Sequence, residues 1–265
     1  MQADVNGTTI YFEEHGSGVP LVLIHGIGGS AEDWASVIPR LAGACRVIAV
    51  DVRGFGRSGK PPGPYSAQLW AGDISALLRY LDCGEAVIYG HSMGGVIAQR
   101  LVLDYPLQVK AAILQSTSSQ VNEKAAAYWE QQADMIASEG LRPTIERRLA
   151  SYSEDFIAAN PQVIAADERR LRLNDPQAYA AGARAVARYN FTEELKLVDK
   201  PVLIIQGLDD TQTPPGGSVI MSRAIPGARL EMIEHCGHSV MTDQPNRMVE
   251  LVLGFVREVE AANAP

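Results

Sequence analysis

Residues 85 to 106 read EAVIYGHSMGGVIAQRLVLDYP, and the change of period inside this stretch sets the architecture of the chain. Its first part, EAVIYG, is a short apolar run of the kind found in strands buried on both faces. From Met93 onward the pattern turns helical and stops at Pro106. Between the two stands Gly90-His91-Ser92-Met93-Gly94, a G-x-S-x-G in the strand-to-helix context that this motif requires. A serine on so tight a turn sits in strained backbone, and glycines at 90 and 94 let strand and helix approach. Ser92 is thereby pushed out above a sheet as a candidate nucleophile. The Met93 amide, at the positive end of the helix dipole, faces the place where an oxyanion would form. The bland alternative is a glycine-rich turn with an incidental serine.

Outward from this stretch the same alternation repeats. PLVLIH at 20 to 25, CRVIAV at 45 to 50, AAILQS at 111 to 116 and PVLIIQ at 201 to 206 read as buried parallel strands. The segment 66 to 81 places Leu69, Ile74, Leu77, Leu78 and Leu81 near one helical face. Strand-helix alternation predicts an α/β fold with a mostly parallel sheet covered on both sides. TTIYFEE at 8 to 14 alternates like an edge strand and ARLEMIEH at 228 to 235 reads as the last one, so about eight strands are expected. From 120 to 192 the text becomes Ala- and Arg-rich and helical, broken by Pro143, Pro161 and Pro176. That change predicts a helical cap at 120–192, inserted in a catalytic core made of 1–119 and 193–265.

A serine hydroxyl needs a base, and His238, in Cys236-Gly237-His238-Ser239 just after the last strand, is placed to swing over Ser92. His235 is its rival, whereas His25 and His91, beside glycines at strand ends, read as structural. The acid should stand between serine and base in chain order, after a strand. Gly207-Leu208-Asp209-Asp210 offers two carboxylates there, and Ser116-Thr117-Ser118-Ser119 offers none after the preceding strand. In His25-Gly26-Ile27-Gly28-Gly29-Ser30, the Ile27 amide is the second candidate oxyanion donor. The same loop also satisfies another template. Gly26-x-Gly28-x-x-Ala31 followed by Asp51 is close to a dinucleotide fingerprint, which would make the chain an NAD-dependent oxidoreductase. That reading leaves Ser92, Asp210 and His238 without purpose.

A formal net charge of −8 leaves no basic stripe for nucleic acid. The chain starts with no basic and apolar leader and has no stretch of about 20 apolar residues, so no membrane association and a cytoplasmic location are expected. Cys45, Cys83 and Cys236 are odd in number and lack metal-ligand spacing, so neither a disulfide nor a metal is expected.

Taken together, HGIGGS, DVRGFGRSG at 51 to 59, GHSMGG, QGLDD and CGHS occur in the order and spacing of the α/β-hydrolase superfamily, which the chain resembles along nearly its full length. Within it the chain looks like capped esterases, 3-oxoadipate enol-lactonases and carbon-carbon bond hydrolases. The resemblance implies a triad of Ser92, Asp210 and His238, oxyanion donors Ile27 and Met93, and cofactor-free cleavage of a small carboxylic ester or lactone through an acyl-enzyme. Haloalkane dehalogenases and epoxide hydrolases use aspartate at the elbow and are set aside. Carbon-carbon bond hydrolases, the alternative, often show tryptophan where Ser239 follows His238. The enol-lactonases resemble the chain in DPQAYAAGARAVARYNFTEEL and PGARLEMIEHCGH, but usually carry leucine at the position of His91.

Trp34, Tyr128, Trp129, Met135, Tyr152, Phe156 and Tyr179 are candidate pocket walls, set against ordinary helix-face packing. Arg188, one turn from Arg184, is a candidate grip for a substrate carboxylate, set against a solvated helix face. A non-catalytic ligand receptor on the same fold is the remaining class. Slow turnover of p-nitrophenyl acetate would identify it.

Overall fold

The computed structural model describes residues 1–149 and 161–262. Eight strands form one sheet: β1 Gln2–Val5, β2 Thr8–His15, β3 Val19–Ile24, β4 Cys45–Val50, β5 Ala86–His91, β6 Val109–Gln115, β7 Val202–Gly207 and β8 Arg229–Ile233. They lie in the order β1-β2-β4-β3-β5-β6-β7-β8. The pairings of β1 with β2 and of β2 with β4 are antiparallel, and all others are parallel.

The parallel strands are apolar without alternation because both faces are covered. Leu21 and Leu23 of β3, Val47 and Ala49 of β4, and Val87 and Tyr89 of β5 point into one core. Their neighbours Val22, Ile24, Ile48, Val50 and Ile88 point into the other. Helices α1 Ile38–Leu41 and α10 Pro245–Ala262 close the first face, the latter with Met248, Val252, Phe255 and Val259. Helices α2 Ala67–Tyr80 and α3 Met93–Asp104 close the second. Helix α2 starts where the Ser66 hydroxyl accepts the Leu69 amide at 3.1 Å, an N-cap that satisfies one of the free first-turn donors.

Between β6 and β7 run α4 Glu123–Glu139, α5 Arg142–Leu149, α6 Pro161–Arg172 and α7 Pro176–Val186. Asn122 and Asp175 cap α4 and α7 with their side chains. Helix α8 Gly216–Ala224 follows β7, and α9 Val240–Asp243 precedes α10. Among the described residues no helix is long and apolar enough to cross a membrane.

Two details of the expected sheet change. TTIYFEE is not at the edge, because β1, with burial only at Ala3, pairs outside it. Four residues with one buried apolar side chain carry too little pattern to be read as a strand. The last strand ends at Ile233, and His235 leaves it in the left-handed region at φ 52°.

Candidate active site

Ser92 joins β5 to α3 at φ 54° and ψ −116°, a backbone region costly for any residue with a side chain. Four hydrogen bonds hold it there. Its amide donates to the Gln115 carbonyl at 2.9 Å, and its carbonyl accepts from Gly95 at 2.9 Å, Val96 at 3.2 Å and the Thr117 hydroxyl at 2.9 Å. A Cβ at Gly94 would overlap the Ile24 carbonyl, and one at Gly90 would overlap the Gly94 carbonyl. Both positions therefore need glycine for the elbow to close.

The loops after β7 and β8 bring the acid and base candidates together. His238 Nδ1 lies 2.9 Å from Asp210 Oδ2. Asp210 is 3% exposed, and its other oxygen accepts the amides of Gln212 and Thr213, each at 2.9 Å. Gln206 Nε2 adds a bond of 3.2 Å to Oδ2, and is itself oriented by the Ser218 hydroxyl on its Oε1 at 2.7 Å. Burial is the largest influence on the Asp210 carboxyl and would raise its pKa. The His238 hydrogen bond and charge, the Thr213 amide and Gln206 together outweigh it and hold the pKa below the ordinary value of 3.8. An ionised carboxylate only accepts, so Nδ1 of His238 carries a proton, and in the neutral ring Nε2 is then the nitrogen with the lone pair. That is the tautomer a general base requires. The rivals Asp209 and His235 are both exposed.

His91, the residue before Ser92, packs against His238. The His91 ring centroid is 4.8 Å from that of His238, and His91 Nε2 is 3.1 Å from the His238 carbonyl oxygen. All three candidate side chains follow the carboxyl ends of parallel strands, where open α/β sheets hold their ligands. Two surface hollows of about 560 and 510 Å³ lie elsewhere. Gly18, Ala44 and Lys110 line the first, at the opposite strand ends; Lys60, Pro62 and Asp175 line the second.

Met93 opens α3, so its amide has no intrahelical acceptor. Ile27 lies in the turn closed by Gly29 N to Gly26 O at 3.1 Å. The dinucleotide template over this loop has lost its acidic residue to another purpose. Asp51 is fully buried, with Oδ1 on the Ala31 amide at 2.6 Å and Oδ2 on the Arg57 amide at 2.7 Å. It ties two loops together and is not presented to a ribose.

The pocket candidates divide. Trp34 is completely buried, packed 5.0 Å from the Tyr89 ring and 6.5 Å from the His91 ring. The Arg188 guanidinium bonds Glu130 at 2.6 Å, and its side chain is 77% exposed. Arg184 does the same with Asp134 at 2.5 Å. Trp129 is half-buried on α4 against the second core, with its ring 5.4 Å from Tyr128. Tyr152 and Phe156 lie outside the described residues. Tyr179 reaches the loop that carries Ile27, where a Cβ on Gly28 would come within 2.7 Å of its ring. Cys236 is buried, and burial with the nearby carboxylates pushes its thiol up to about 12, so it behaves as a small apolar side chain.

Gln206, Thr117 and His91 support this geometry and were not legible as site residues. Gln206 and His91 do carry a signal, each a polar side chain at the end of an otherwise apolar strand run.

The model of the alpha/beta hydrolase fold matches residues 19–245. A protein of Azorhizobium caulinodans provisionally named carbamate hydrolase RutD is 27% identical over 95% of this chain and 96% of its own. The 3-oxoadipate enol-lactonase 2 of Acinetobacter baylyi is 27% identical over 88% of each. A thermophilic esterase from Thermogutta terrifontis superposes with a TM-score of 0.89 at 27% identity, covering 98% of this chain and 99% of that one. With a strained serine elbow, a mostly parallel eight-stranded sheet and a family match across most of its length, the chain belongs to the α/β-hydrolases and is a hydrolase.

Proposed function

We propose that the protein cleaves a small carboxylic ester or lactone through an acyl-enzyme at Ser92. The observation that carries this reading is the 2.9 Å bond from His238 Nδ1 to buried Asp210, which puts the ring proton on Nδ1 and makes Nε2 the basic nitrogen. Ser92 Oγ attacks the substrate carbonyl carbon while His238 Nε2 takes its proton. The amides of Ile27 and Met93 receive the oxyanion, and Asp210 stabilises the imidazolium. Collapse breaks the carbon-oxygen bond, and His238 protonates the departing alkoxide, which for a lactone remains tethered to the acyl group. Water, deprotonated by His238, then attacks the acyl-Ser92 ester and releases the acid.

Residues 120–192 act as a cap over this site in our reading, which limits the volume of the acyl and alcohol groups. Short soluble esters are then hydrolysed better than long-chain triglycerides at an interface, and the reverse order would remove the cap's limiting role. The direct test is mass spectrometry after a serine-directed phosphonate, with p-nitrophenyl acetate and a lactone panel as substrates. One adduct on Ser92 is expected, with activity abolished in Ser92→Ala and unchanged after dialysis against a chelator. Full activity in Ser92→Ala would overturn the proposal. A 1,5-diketone substrate in the same panel tests carbon-carbon bond cleavage as the competing activity.

A further inference from the structure

None of the steps above uses the imidazole of His91, although it stands beside the nucleophile and is only 7% exposed. Its Nε2 is 3.1 Å from the main-chain carbonyl of His238, which lies 147 residues further along the chain. A carbonyl can only accept, so Nε2 carries a proton and donates it. The two rings meet at 4.8 Å and 53°. Trp34 closes on the His91 ring edge-on, and a Cβ on Gly26 would come within 3.2 Å of His91 Nδ1. The imidazole is therefore held between the oxyanion loop, the end of β5 and the base.

We propose that His91 is a positioning residue, setting the main chain of His238 relative to Ser92. The loop that carries the base is otherwise tied to its own end of the sheet: Asp209 N donates to the Cys236 carbonyl and Gly237 N to Asp243 Oδ2, both at 2.9 Å. Those bonds fix the loop against β7 and α9, not against the elbow. The His91 bond links the base's own peptide to the residue that immediately precedes the nucleophile. Asp210 orients the imidazole of His238, and His91 sets where its backbone sits. An error of about 1 Å in such a placement can reduce the rate by roughly 100-fold. The inference rests on the assignment of Ser92 and His238 made above.

The test compares His91→Gln, whose amide nitrogen can reach the place of Nε2 and donate, with His91→Leu, which keeps bulk without a donor. His91→Asn is the third variant: it remains polar but places its nitrogen too short to reach the carbonyl. The readouts are kcat and KM on p-nitrophenyl acetate, the rate of phosphonate labelling at Ser92, and the thermal midpoint. We expect His91→Leu and His91→Asn to lose roughly 10- to 100-fold in kcat and in labelling rate, with KM changed by less than about 2-fold. His91→Gln should recover most of that loss. Should His91→Leu fail to fold, the contrast between Gln and Asn decides. Wild-type kcat in His91→Leu or His91→Asn, or equal losses in Gln and Asn, would overturn the inference. Ser92→Ala run alongside separates the two levels: if it stays active the catalytic assignment itself fails, and if it is inactive those results bear on His91 alone.

Discussion

Asp209 and Asp210 are adjacent carboxylates with opposite surroundings, one exposed and the other buried on four hydrogen bonds. Their contrast gives the most direct residue-scale prediction. Asp210→Asn removes the acceptor that holds the His238 tautomer and should lower kcat by about 10⁴ while the fold persists. Asp209→Asn should retain most activity, and a severe loss there alone would move the acid by one position. Circular dichroism on both variants checks the fold. The depressed pKa of Asp210 also has a consequence for stability. A carboxyl whose folded pKa lies below its unfolded value stabilises the protein fully above the unfolded value, roughly 3.9, and loses that contribution as pH falls through the folded one. Thermal midpoints of wild type and Asp210→Asn should therefore converge as the pH is taken below about 4. A constant gap from pH 7 to 3 would show that the carboxylate is not held in this way.

At the scale of elements, the helices between β6 and β7 grip the loop that carries Ile27. Asn174, just past the end of α6, donates from Nδ2 to the Gly28 carbonyl at 3.0 Å. Arg170 of α6 meets Asp33 at 2.9 Å, and Tyr179 of α7 lies against Gly28, which stands at φ 74°. Gly28→Ala would bring both a side chain into the left-handed region and a clash with Tyr179. We expect a loss of about 1–3 kcal/mol in urea denaturation from the strained backbone. The fall in kcat should exceed what that loss of folded protein explains, because the loop of Ile27, the proposed oxyanion donor, must shift to make room. An alanine variant with unchanged kcat and stability would mean that the loop adapts freely. Arg184 and Arg188, on and just beyond α7, illustrate the opposite case: long charged side chains at helical spacing found carboxylates on α4 and serve helix packing.

For the molecule as a whole, the ion pairs differ by burial far more than by distance. Asp73 of α2 accepts from Arg53 at 2.6 and 2.7 Å and from Asn6 at 2.7 Å, with the Arg53 and Asp73 side chains 8% and 2% exposed. This cluster joins the β1-β2 turn, the loop after β4 and α2, three parts distant in sequence. Asp73→Ala leaves a buried guanidinium without its partner and should destabilise by about 3–5 kcal/mol. Glu250→Ala, which breaks an exposed pair with Arg247 on α10, should change stability by less than about 1 kcal/mol. Denaturant midpoints measure both. Equal effects would show that the Arg53 guanidinium finds water in place of Asp73.

Local patterning alone was sufficient for the fold class and the elbow, because both are written in neighbouring residues. Period, glycine spacing and the strand-to-helix switch at Ser92 are all short-range properties. Chain order favoured His238 over His235, which was expected to end the last strand, but left the acid between Asp209 and Asp210 and could go no further by itself. The choice between adjacent residues depends on which side chain a loop turns inward, and that follows from partners such as Gln206 and Thr213 that only the folded chain assembles. The pocket was the least legible part. An aromatic or arginine at helical spacing has the same signature whether it faces a core, a carboxylate on the next helix or a substrate. The burial of Trp34 behind His91, the pairing of Arg188 with Glu130 and the bond from His91 to the His238 carbonyl are contacts between segments distant in sequence. Only tertiary packing brings those segments together, so no local pattern records the contacts.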